Sequence, residues 1–341
     1  MRNNMEKLSK TWEAGAFDKE KGEWNTTTLH SYEHQSDEPL WQAERAIIRP
    51  SKAKPVNRNY KSLLVFGDMQ TGFRRVYDYD TKEYSLVPLH DERALKIAQM
   101  ICKDLRPDEI INLGDTFDGA EFSRFKPDST HFHNVTAPTM QAIHDFYGQL
   151  RADNPQSKIT EVDSNHNLRI DKAILENIPQ LANFTRPGEN KPMMVYEYMA
   201  NLEPLGVDFI SGYGAAEYEY ADDLAFIHGT LTGVNGVGNR LAKQNPDRNI
   251  VQGHNHRAER YLHTDRKGRQ LGAFVVGALC RTDGAVPSFH NGVDHRNQPV
   301  KYQENWTQNL LHIMDYDGYY QFDDIAIQDG RAFYQGREYY A

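Results

Sequence analysis

The sequence predicts an α/β protein in which strands buried on both faces alternate with helices. From residue 61 onward, short apolar runs end in small or acidic residues, and stretches with helical periodicity separate them. Near the C-terminal end, Asp317-Gly318 and Asp329-Gly330 divide the chain into short alternating runs, which is typical of antiparallel strands. With 341 residues, 39% of them hydrophobic and 26% charged, the composition is globular and excludes collagen, coiled coils and low-complexity chains.

The apolar runs give the predicted strands, and the periodic stretches between them give the predicted helices. Six strands are predicted, at 63–66, 109–113, 158–162, 224–227, 250–252 and 273–278. A helix over 90–105 follows the first strand, because its apolar residues share one face and Pro107 stops it. Further helices are predicted at 137–151 and 171–185. Gly233, Gly236 and Gly238 predict an ordinary glycine-rich turn, since their spacing differs from that of a dinucleotide-binding loop.

Changes in composition along the chain predict its domain organisation. Residues 1–60 are polar yet hold three of the four tryptophans, so we predict an N-terminal arm that packs on the main domain. The main domain is predicted at 61–305, with an insertion at about 186–222 that is rich in Gly and Tyr and has short strands of its own. Residues 306–341 are predicted to form antiparallel strands of the same domain.

Charge and cysteine content limit the environment and the partners. The net charge of −9 argues against a surface that coats itself with nucleic acid, although a local basic rim would not change that total much. Two cysteines, 178 residues apart, cannot build a disulfide framework or a cysteine-type zinc site. Together with the lack of an apolar stretch long enough for a signal or a bilayer span, this predicts a soluble, cytoplasmic protein.

Five predicted strands end at residues that bind metals. The motifs are Gly67-Asp68-Met69-Gln70, Gly114-Asp115-Thr116-Phe117-Asp118, Asn165-His166, His228-Gly229 and Gly253-His254-Asn255-His256. Each motif alone is weak, because such short patterns occur by chance. Since ligands collect at the carboxyl ends of strands in an open α/β sheet, five of them in chain order predict one metal-binding cluster.

These motifs resemble those of the calcineurin-like metallophosphoesterase superfamily over about residues 62–280, and within it they look most like phage-encoded members. The family pattern is Asp-x-His, Gly-Asp-x-x-Asp, Gly-Asn-His-Asp/Glu, His-Gly or Gly-His, and Gly-His-x-His. The second and the last motif match fully, at 114–118 and 253–256. The resemblance implies a β-sandwich of two mixed sheets flanked by helices, with a dimetal site at the strand ends.

The resemblance also implies a ligand set for two divalent metal ions. The first ion would be held by Asp68, Gln70, Asp115 and His256, and the second by Asp115, Asn165, His228 and His254. Asp115 would bridge the two ions, because a shared carboxylate screens the repulsion between cations about 3.5–4 Å apart. Two carboxylates against two dications leave net positive charge, which attracts a phosphate, while His and Asn ligands are neutral.

The implied reaction is attack of a metal-bound hydroxide on a phosphoester, without a covalent enzyme intermediate. His166 resembles the family's catalytic histidine, and Asp118 would orient its ring by accepting a ring N–H. Gln70 stands where the family has His, which favours manganese or magnesium over zinc; manganese is the first choice, and magnesium, iron and zinc remain alternatives. Ser164 and Asn167 also depart from the pattern around Asn165-His166 and affect the positioning of His166.

The substrate is less defined than the reaction. Arginines near the motifs, at 74, 75, 169, 257 and 260, suit a phosphodiester of a nucleotide or nucleic acid, with nuclease activity as the sharpest form. A phosphomonoesterase for a phosphoprotein or a small phosphate ester is one alternative. A metal-binding scaffold without turnover is the other, and the oligomeric state is not defined by the sequence.

Overall fold

A computed structural model of the chain describes residues 50–51, 56–123, 134–283 and 305–341 in full and residues 7–18 and 23–33 as backbone only. The chain forms two compact units, residues 1–42 and 43–341. In the first unit, β1 (Lys7–Asp18) pairs antiparallel with β2 (Glu23–Glu33). The side chains of Trp12, Trp24 and Trp41, and with them the predicted packing of the arm, lie outside the described residues.

The second unit is built on a larger sheet of eight strands. Its strands are β3 (Lys61–Phe66), β6 (Glu109–Asn112), β7 (Lys158–Val162), β8 (Val207–Ile210), β14 (Gln308–Asp315), β15 (Tyr320–Gln328), β16 (Arg331–Tyr334) and β17 (Arg337–Tyr340), in the order β17-β16-β15-β14-β3-β6-β7-β8. The four strands from β3 to β8 run parallel, and the C-terminal strands form an antiparallel meander. The turn signals in the sequence predict this meander, and the structure confirms it.

A smaller sheet of five strands completes a sandwich. Its members are β9 (Glu217–Ala221), β10 (Leu224–Ile227), β11 (Asn249–Gln252), β12 (Glu259–Thr264) and β13 (Gln270–Val275), in the order β12-β13-β11-β10-β9. Strands β10, β11 and β13 are parallel, and the two edge strands are antiparallel to them. A separate two-stranded antiparallel ribbon follows β3 in the sequence and consists of β4 (Phe73–Asp78) and β5 (Glu83–Pro88).

The helices cover the outer faces of both sheets. They are α1 (Glu92–Leu105), α2 (Thr136–Asp153), α3 (Leu168–Asn177), the single turn α4 (Tyr196–Met199) and α5 (Val237–Gln244). Asp91 caps α1 by accepting hydrogen bonds from two backbone N–H groups of the first turn, and Arg106 ends it in a left-handed conformation. Among the described residues, no helix has the length and the apolar character that a membrane crossing requires.

Alternating apolar side chains of the central strands build the core on both sides of the larger sheet. Leu63 and Val65 face the smaller sheet and share a buried cluster with Phe226 and Phe274. The intervening side chains of β3 face α1, α2 and α3 in the largest cluster. Helix α5 packs on the other face of the smaller sheet. The prediction of two mixed sheets flanked by helices is therefore confirmed.

Some predicted elements differ in position from those observed. The third helix begins and ends earlier than the predicted 171–185, because α3 ends at Asn177 and Pro179 starts a separate 3-10 turn. The last of the predicted strands, at 273–278, lies three residues earlier in the structure, where β13 covers Gln270–Val275. The glycine-rich turn is shorter than predicted, since Gly238 lies inside α5. The strands of residues 186–222 belong to the two main sheets, while the domain boundaries and the insertion remain predictions.

Candidate metal centre

The carboxyl ends of β3, β6, β7, β10 and β11 bring the five predicted motifs into one cluster. The loops after β3 and β6 are joined by backbone hydrogen bonds, from the Asp68 N–H to the Gly114 carbonyl (2.8 Å) and from the Gln70 N–H to the Asp115 carbonyl (2.9 Å). The loop after β11 is joined to them by the His254 N–H, which donates to the Asp68 carboxylate at 3.0 Å. The sheets thus place residues that are up to 188 positions apart in sequence side by side.

Five of the seven predicted ligands have a left-handed backbone, which L-amino acids other than glycine seldom adopt. Their φ angles are 53° at Asp68, 50° at Gln70, 48° at Asp115, 64° at His254 and 56° at His256. Each such residue costs of order 1 kcal/mol or more, and such strain persists where the surrounding structure imposes it. The turns after the strands are therefore shaped to direct these side chains into the cluster rather than to relax the backbone.

Glycines next to the ligands allow the loops to approach one another. A Cβ at Gly114 would lie 2.5 Å from the Val162 carbonyl oxygen, and one at Gly253 would lie 2.8 Å from the carboxylate of Asp68. Neither position has room for a side chain. The Gly-Asp and Gly-His pairs of the motifs thus have a steric basis.

The ligand atoms form two groups that share Asp115. In one group, Asp68, Asp115 and His256 each offer an atom, and these atoms all lie within 4.8 Å of one another. In the other group, Asp115, His228 and His254 meet the same criterion. Asp68, Asp115 and His256 are buried, and His228 is only 1% exposed. A carboxylate common to two adjacent groups can bridge a pair of divalent ions.

Asn165 completes the second group of ligand atoms, and hydrogen bonds orient the imidazole ring of His228 in that group. The His228 Nδ1–H donates to the Leu113 carbonyl at 2.8 Å, so Nε2 faces the cluster. From Nε2 it is 2.9 Å to the Asn165 side-chain oxygen, 3.1 Å to Nδ1 of His254 and 3.4 Å to the Asp115 carboxylate. An atom at the centre of these groups would contact two imidazole nitrogens and two oxygens.

In the first group, His256 and Gln70 lie on either side of the carboxylates. His256 Nε2 is 3.0 Å from Asp68 Oδ1, and its ring is held by an edge contact with Trp306 at 4.4 Å between centroids. The Gln70 amide nitrogen is 3.3 Å from the Asp115 carboxylate. Its amide oxygen is buried and accepts no hydrogen bond from any part of the chain that the structure describes. Because the amide can turn by 180° about its last bond, that oxygen can face the cluster, and the residues present fit a divalent ion.

Electrostatics favours a cation at the cluster. Burial opposes ionisation of Asp115, but the imidazoles of His166 and His228 outweigh it, and the pKa of this carboxyl lies well below its usual value. Burial would lower the pKa of His228, yet Asp115 reverses the effect and raises that pKa. The carboxylate of Asp115 thus favours positive charge at this position. A divalent ion would compete with a proton for His228, since a ligating imidazole must be neutral.

His166 lies beside the cluster, but its hydrogen bonds differ from those predicted. Its Nδ1 is 3.8 Å from Asp118 Oδ1, which is too long for a hydrogen bond, so the predicted ring N–H bond to Asp118 is not formed. Arg169 instead donates to His166 Nε2 at 2.8 Å. Burial is the main cause that lowers the pKa of His166 well below its usual value. Because a guanidinium can only donate, His166 Nε2 accepts the bond from Arg169.

A buried polar network behind the Asp115 turn was missed by the sequence analysis. Glu161 on β7 accepts hydrogen bonds from the hydroxyls of Thr116 (2.8 Å), Tyr147 (2.6 Å) and Tyr196 (3.2 Å). Asn112 donates to Thr116 and to Tyr147, and its side-chain oxygen accepts from the Gly114 N–H. The only sequence signal was a charged residue inside an apolar strand.

Ser164 and Asn167, the departures next to Asn165-His166, have defined partners. The Ser164 hydroxyl accepts the backbone N–H of Asp115 at 2.8 Å, and the Asp115 carboxylate accepts the N–H of His166 at 3.1 Å. Asn167 donates to Asp163 at 3.4 Å. Ser164 thus supports the turn that carries Asp115, a role that the family's glycine has no side chain to fill.

A cavity of about 210 Å³ is lined by His228, alone among the seven predicted ligands. Tyr213, whose ring lies edge-on to that of His228 at 5.8 Å, forms one wall, and Gln252 forms another. Of the arginines near the motifs, Arg169 contacts His166. Arg74 is buried, and its burial followed by the charge of Arg281 lowers its pKa to about 10.

The described residues form a sandwich of two mixed sheets flanked by helices, with the predicted ligands at the ends of its strands. This is the arrangement that the sequence resemblance implies. No protein-family model and no curated protein sequence matches the chain.

Solved structures that resemble the chain include Vacuolar Protein Sorting 29 from Cryptosporidium parvum, with 10% identity, coverage of 83% of this chain and 99% of that chain, and a TM-score of 0.33. A dimetal phosphatase from Danio rerio has 10% identity, coverage of 77% and 95%, and a TM-score of 0.34. An NAD nucleotidase from Haemophilus influenzae has 10% identity, coverage of 83% and 60%, and a TM-score of 0.33. Similarity at this level does not bear on activity, which we infer from the side chains.

Proposed function

We propose that the protein is a dimetal-dependent phosphoester hydrolase that acts on phosphodiesters of nucleotides or nucleic acids. The observation that carries the proposal is the position of Asp115, whose carboxylate belongs to both groups of ligand atoms. One ion would be held by Asp68, Gln70, Asp115 and His256. The other would be held by Asp115, Asn165, His228 and His254.

Two divalent ions bound there supply Lewis-acid activation of water and of the phosphoryl oxygens. The chain's own residues orient and neutralise the substrate. Arg169 reaches the space next to His166 Nε2, so its guanidinium can donate to a phosphoryl oxygen there. His166, adjacent to the ligand Asn165, is placed to stabilise the charge that develops on the phosphoryl group or to hand a proton to the departing oxygen.

The choice of ions follows from the donor atoms. The second group offers two imidazoles, whereas the first offers one imidazole and the amide of Gln70. An amide oxygen is a harder ligand than imidazole, so manganese or magnesium is favoured over zinc in the first group. Titration of the chelator-treated protein with Mn²⁺ should show two bound ions. A single bound ion, with no turnover in any metal, contradicts the proposal.

The preference for diesters is supported by the cavity beside His228, which can receive the second ester arm of the substrate. Hydrolysis of bis-p-nitrophenyl phosphate and of p-nitrophenyl phosphate, measured side by side with Mn²⁺, tests this preference. The diesterase hydrolyses the former with the higher kcat/KM. Turnover of the monoester alone identifies the phosphomonoesterase alternative.

A scaffold without turnover is the remaining alternative, and His166 distinguishes it. His166→Ala should abolish hydrolysis while leaving the number of bound ions at two, because His166 is not in either ligand group. Arg266→Ala is a suitable control, since Arg266 is exposed in the turn between β12 and β13 and lies outside the five motifs. Equal, background-level hydrolysis by wild type and both variants indicates the scaffold.

A further inference from the structure

The ribbon β4–β5 combines exposed aromatic side chains with one arginine on a single face. Its register pairs Tyr77 with Tyr84 and Arg75 with Leu86, and paired residues point to the same side of a two-stranded ribbon. Tyr84 is 54% exposed, and Tyr79 at the turn is 85% exposed. These residues, Arg75, Tyr77, Tyr79, Tyr84 and Leu86, form what we call the aromatic face.

The rings of the aromatic face contact one another edge to face or at a tilt. The centroids of Tyr77 and Tyr84 are 4.8 Å apart, and those of Tyr77 and Tyr79 are 5.1 Å apart. The guanidinium of Arg75 lies over the ring of Tyr84 at 3.8 Å. Exposed aromatic rings beside an arginine are a surface on which nucleobases stack, because every base has a π-face and the arginine also attracts phosphate.

The carboxylates of the two strands lie on the opposite face. Asp78 pairs with Glu83 in the register, one position out of phase with Tyr77 and Tyr84. Alternation along both strands therefore separates the acidic side chains from the aromatic face. A polyanion that approaches the aromatic face is therefore kept away from the carboxylates of Asp78 and Glu83, which lie on the other side of the ribbon.

The base of the ribbon is part of the candidate metal centre. Thr71, next to Gln70, donates its N–H to the Thr116 carbonyl (2.7 Å), and its carbonyl accepts from the Asp118 N–H (2.9 Å). Phe73 follows two residues later, so its Cα is at most about 11 Å from that of Gln70. A strand of nucleic acid whose phosphate lies at the metal centre can therefore reach the aromatic face within a few nucleotides.

We propose that the aromatic face of β4–β5 is a stacking platform for single-stranded nucleic acid, which delivers the strand to the metal centre. This inference rests on the proposed phosphodiesterase function and names its substrate class. A small diester does not extend to the ribbon. Binding of a polymer and hydrolysis of a small diester therefore depend on different residues.

The test measures binding and hydrolysis separately in the full-length protein. Binding of a fluorescein-labelled single-stranded oligonucleotide is followed by anisotropy without added metal, and bis-p-nitrophenyl phosphate hydrolysis is followed with Mn²⁺. Tyr79→Ala and Tyr84→Ala should each weaken oligonucleotide binding about tenfold. Both variants should keep diester hydrolysis within about twofold of wild type, since neither side chain is a ligand.

Matched variants separate stacking from a general loss of surface. Tyr84→Phe keeps the ring and should bind like wild type. Tyr340→Ala removes a ring that is 71% exposed on β17 and should have no effect. A duplex of the same sequence should compete poorly, because its bases are already stacked.

The outcomes for the platform and for the metal centre can be told apart. If the ribbon variants bind the oligonucleotide as tightly as wild type, or if wild type does not bind it, the platform is refuted even when diester hydrolysis is normal. If oligonucleotide binding falls as expected but no variant or metal gives hydrolysis, the platform stands and the proposed catalytic function fails. Equal binding of duplex and single strand points to a protein or general polyanion surface and also overturns the proposal.

Discussion

Glu161 should make the stability of this protein fall as the pH rises, and Glu161→Gln should remove that dependence. The side chain is completely buried, and burial is the main cause that raises its pKa from 4.5 to about 7. Hydrogen bonds from Tyr147 and Thr116 oppose the shift without cancelling it. Below pH 4.5 the carboxyl is protonated in both the folded and the unfolded chain, so its contribution to stability is fully present.

The magnitude follows from the difference between the two pKa values. Between pH 4.5 and pH 7 the unfolded chain releases the proton and the folded chain retains it, so the free energy of unfolding falls with a slope of up to about 1.4 kcal/mol per pH unit. Above pH 7 both states are ionised and the loss is complete. The total is about 3 kcal/mol, because the shift is about 2.5 units.

The assay is urea unfolding of wild type and Glu161→Gln in the presence of EDTA, at intervals from pH 4.5 to pH 8. Other titrating groups cancel in the difference between the two proteins, and the altered hydrogen bonds of the amide add only a constant. The stability of the variant relative to wild type should therefore rise by about 3 kcal/mol over this range and then level off. Glu203→Gln, at an exposed position, controls for the loss of one carboxyl group. A difference that stays flat from pH 4.5 to pH 8 refutes the reasoning.

Three further substitutions test the geometry of the metal centre. Thr116→Val breaks the link between Glu161 and the Asp115 turn and should weaken Mn²⁺ binding, measured by calorimetry, about tenfold or more. Tyr196→Phe removes another hydrogen bond to the same carboxylate and should leave the Mn²⁺ affinity unchanged. Equal effects of the two variants would contradict a positioning role for Thr116. Gln70→His adds an imidazole and should tighten Zn²⁺ binding about tenfold in chelator competition; an unaltered affinity argues against ligation at this position. Gly114→Ala should lower the free energy of unfolding by about 3 kcal/mol, because its Cβ would lie 2.5 Å from the Val162 carbonyl oxygen. Gly188 has a similar positive φ but open space around it, so Gly188→Ala should lower the free energy of unfolding by only about 1 kcal/mol. Similar losses in the two variants would rule out the steric explanation.

The parts of the fold that could be predicted were those with a strong local signal. The runs at β3, β6 and β7 contain apolar residues and are followed by Gly or Asp, and the structure places these strands within one residue of the prediction at their C-terminal ends. Helix α1 was predicted because its apolar face and Pro107 leave few alternatives. The ribbon β4–β5 was not predicted, since β5 is mostly exposed, β4 is only partly buried, and the aromatic residues lack a buried face that would produce a clear pattern.

For the candidate site too, some features could be predicted from the sequence and others could be seen only in the structure. The sequence by itself determined which residue types end the strands, and so it identified Asp115 and its partners as candidate ligands. Only the tertiary structure decided how their atoms are arranged, because the left-handed turns, the bond from Ser164 to the Asp115 N–H and the contact of Arg169 with His166 join residues that are distant in sequence. Local composition records what a side chain can bind, whereas the distance between two side chains depends on how whole sheets pack.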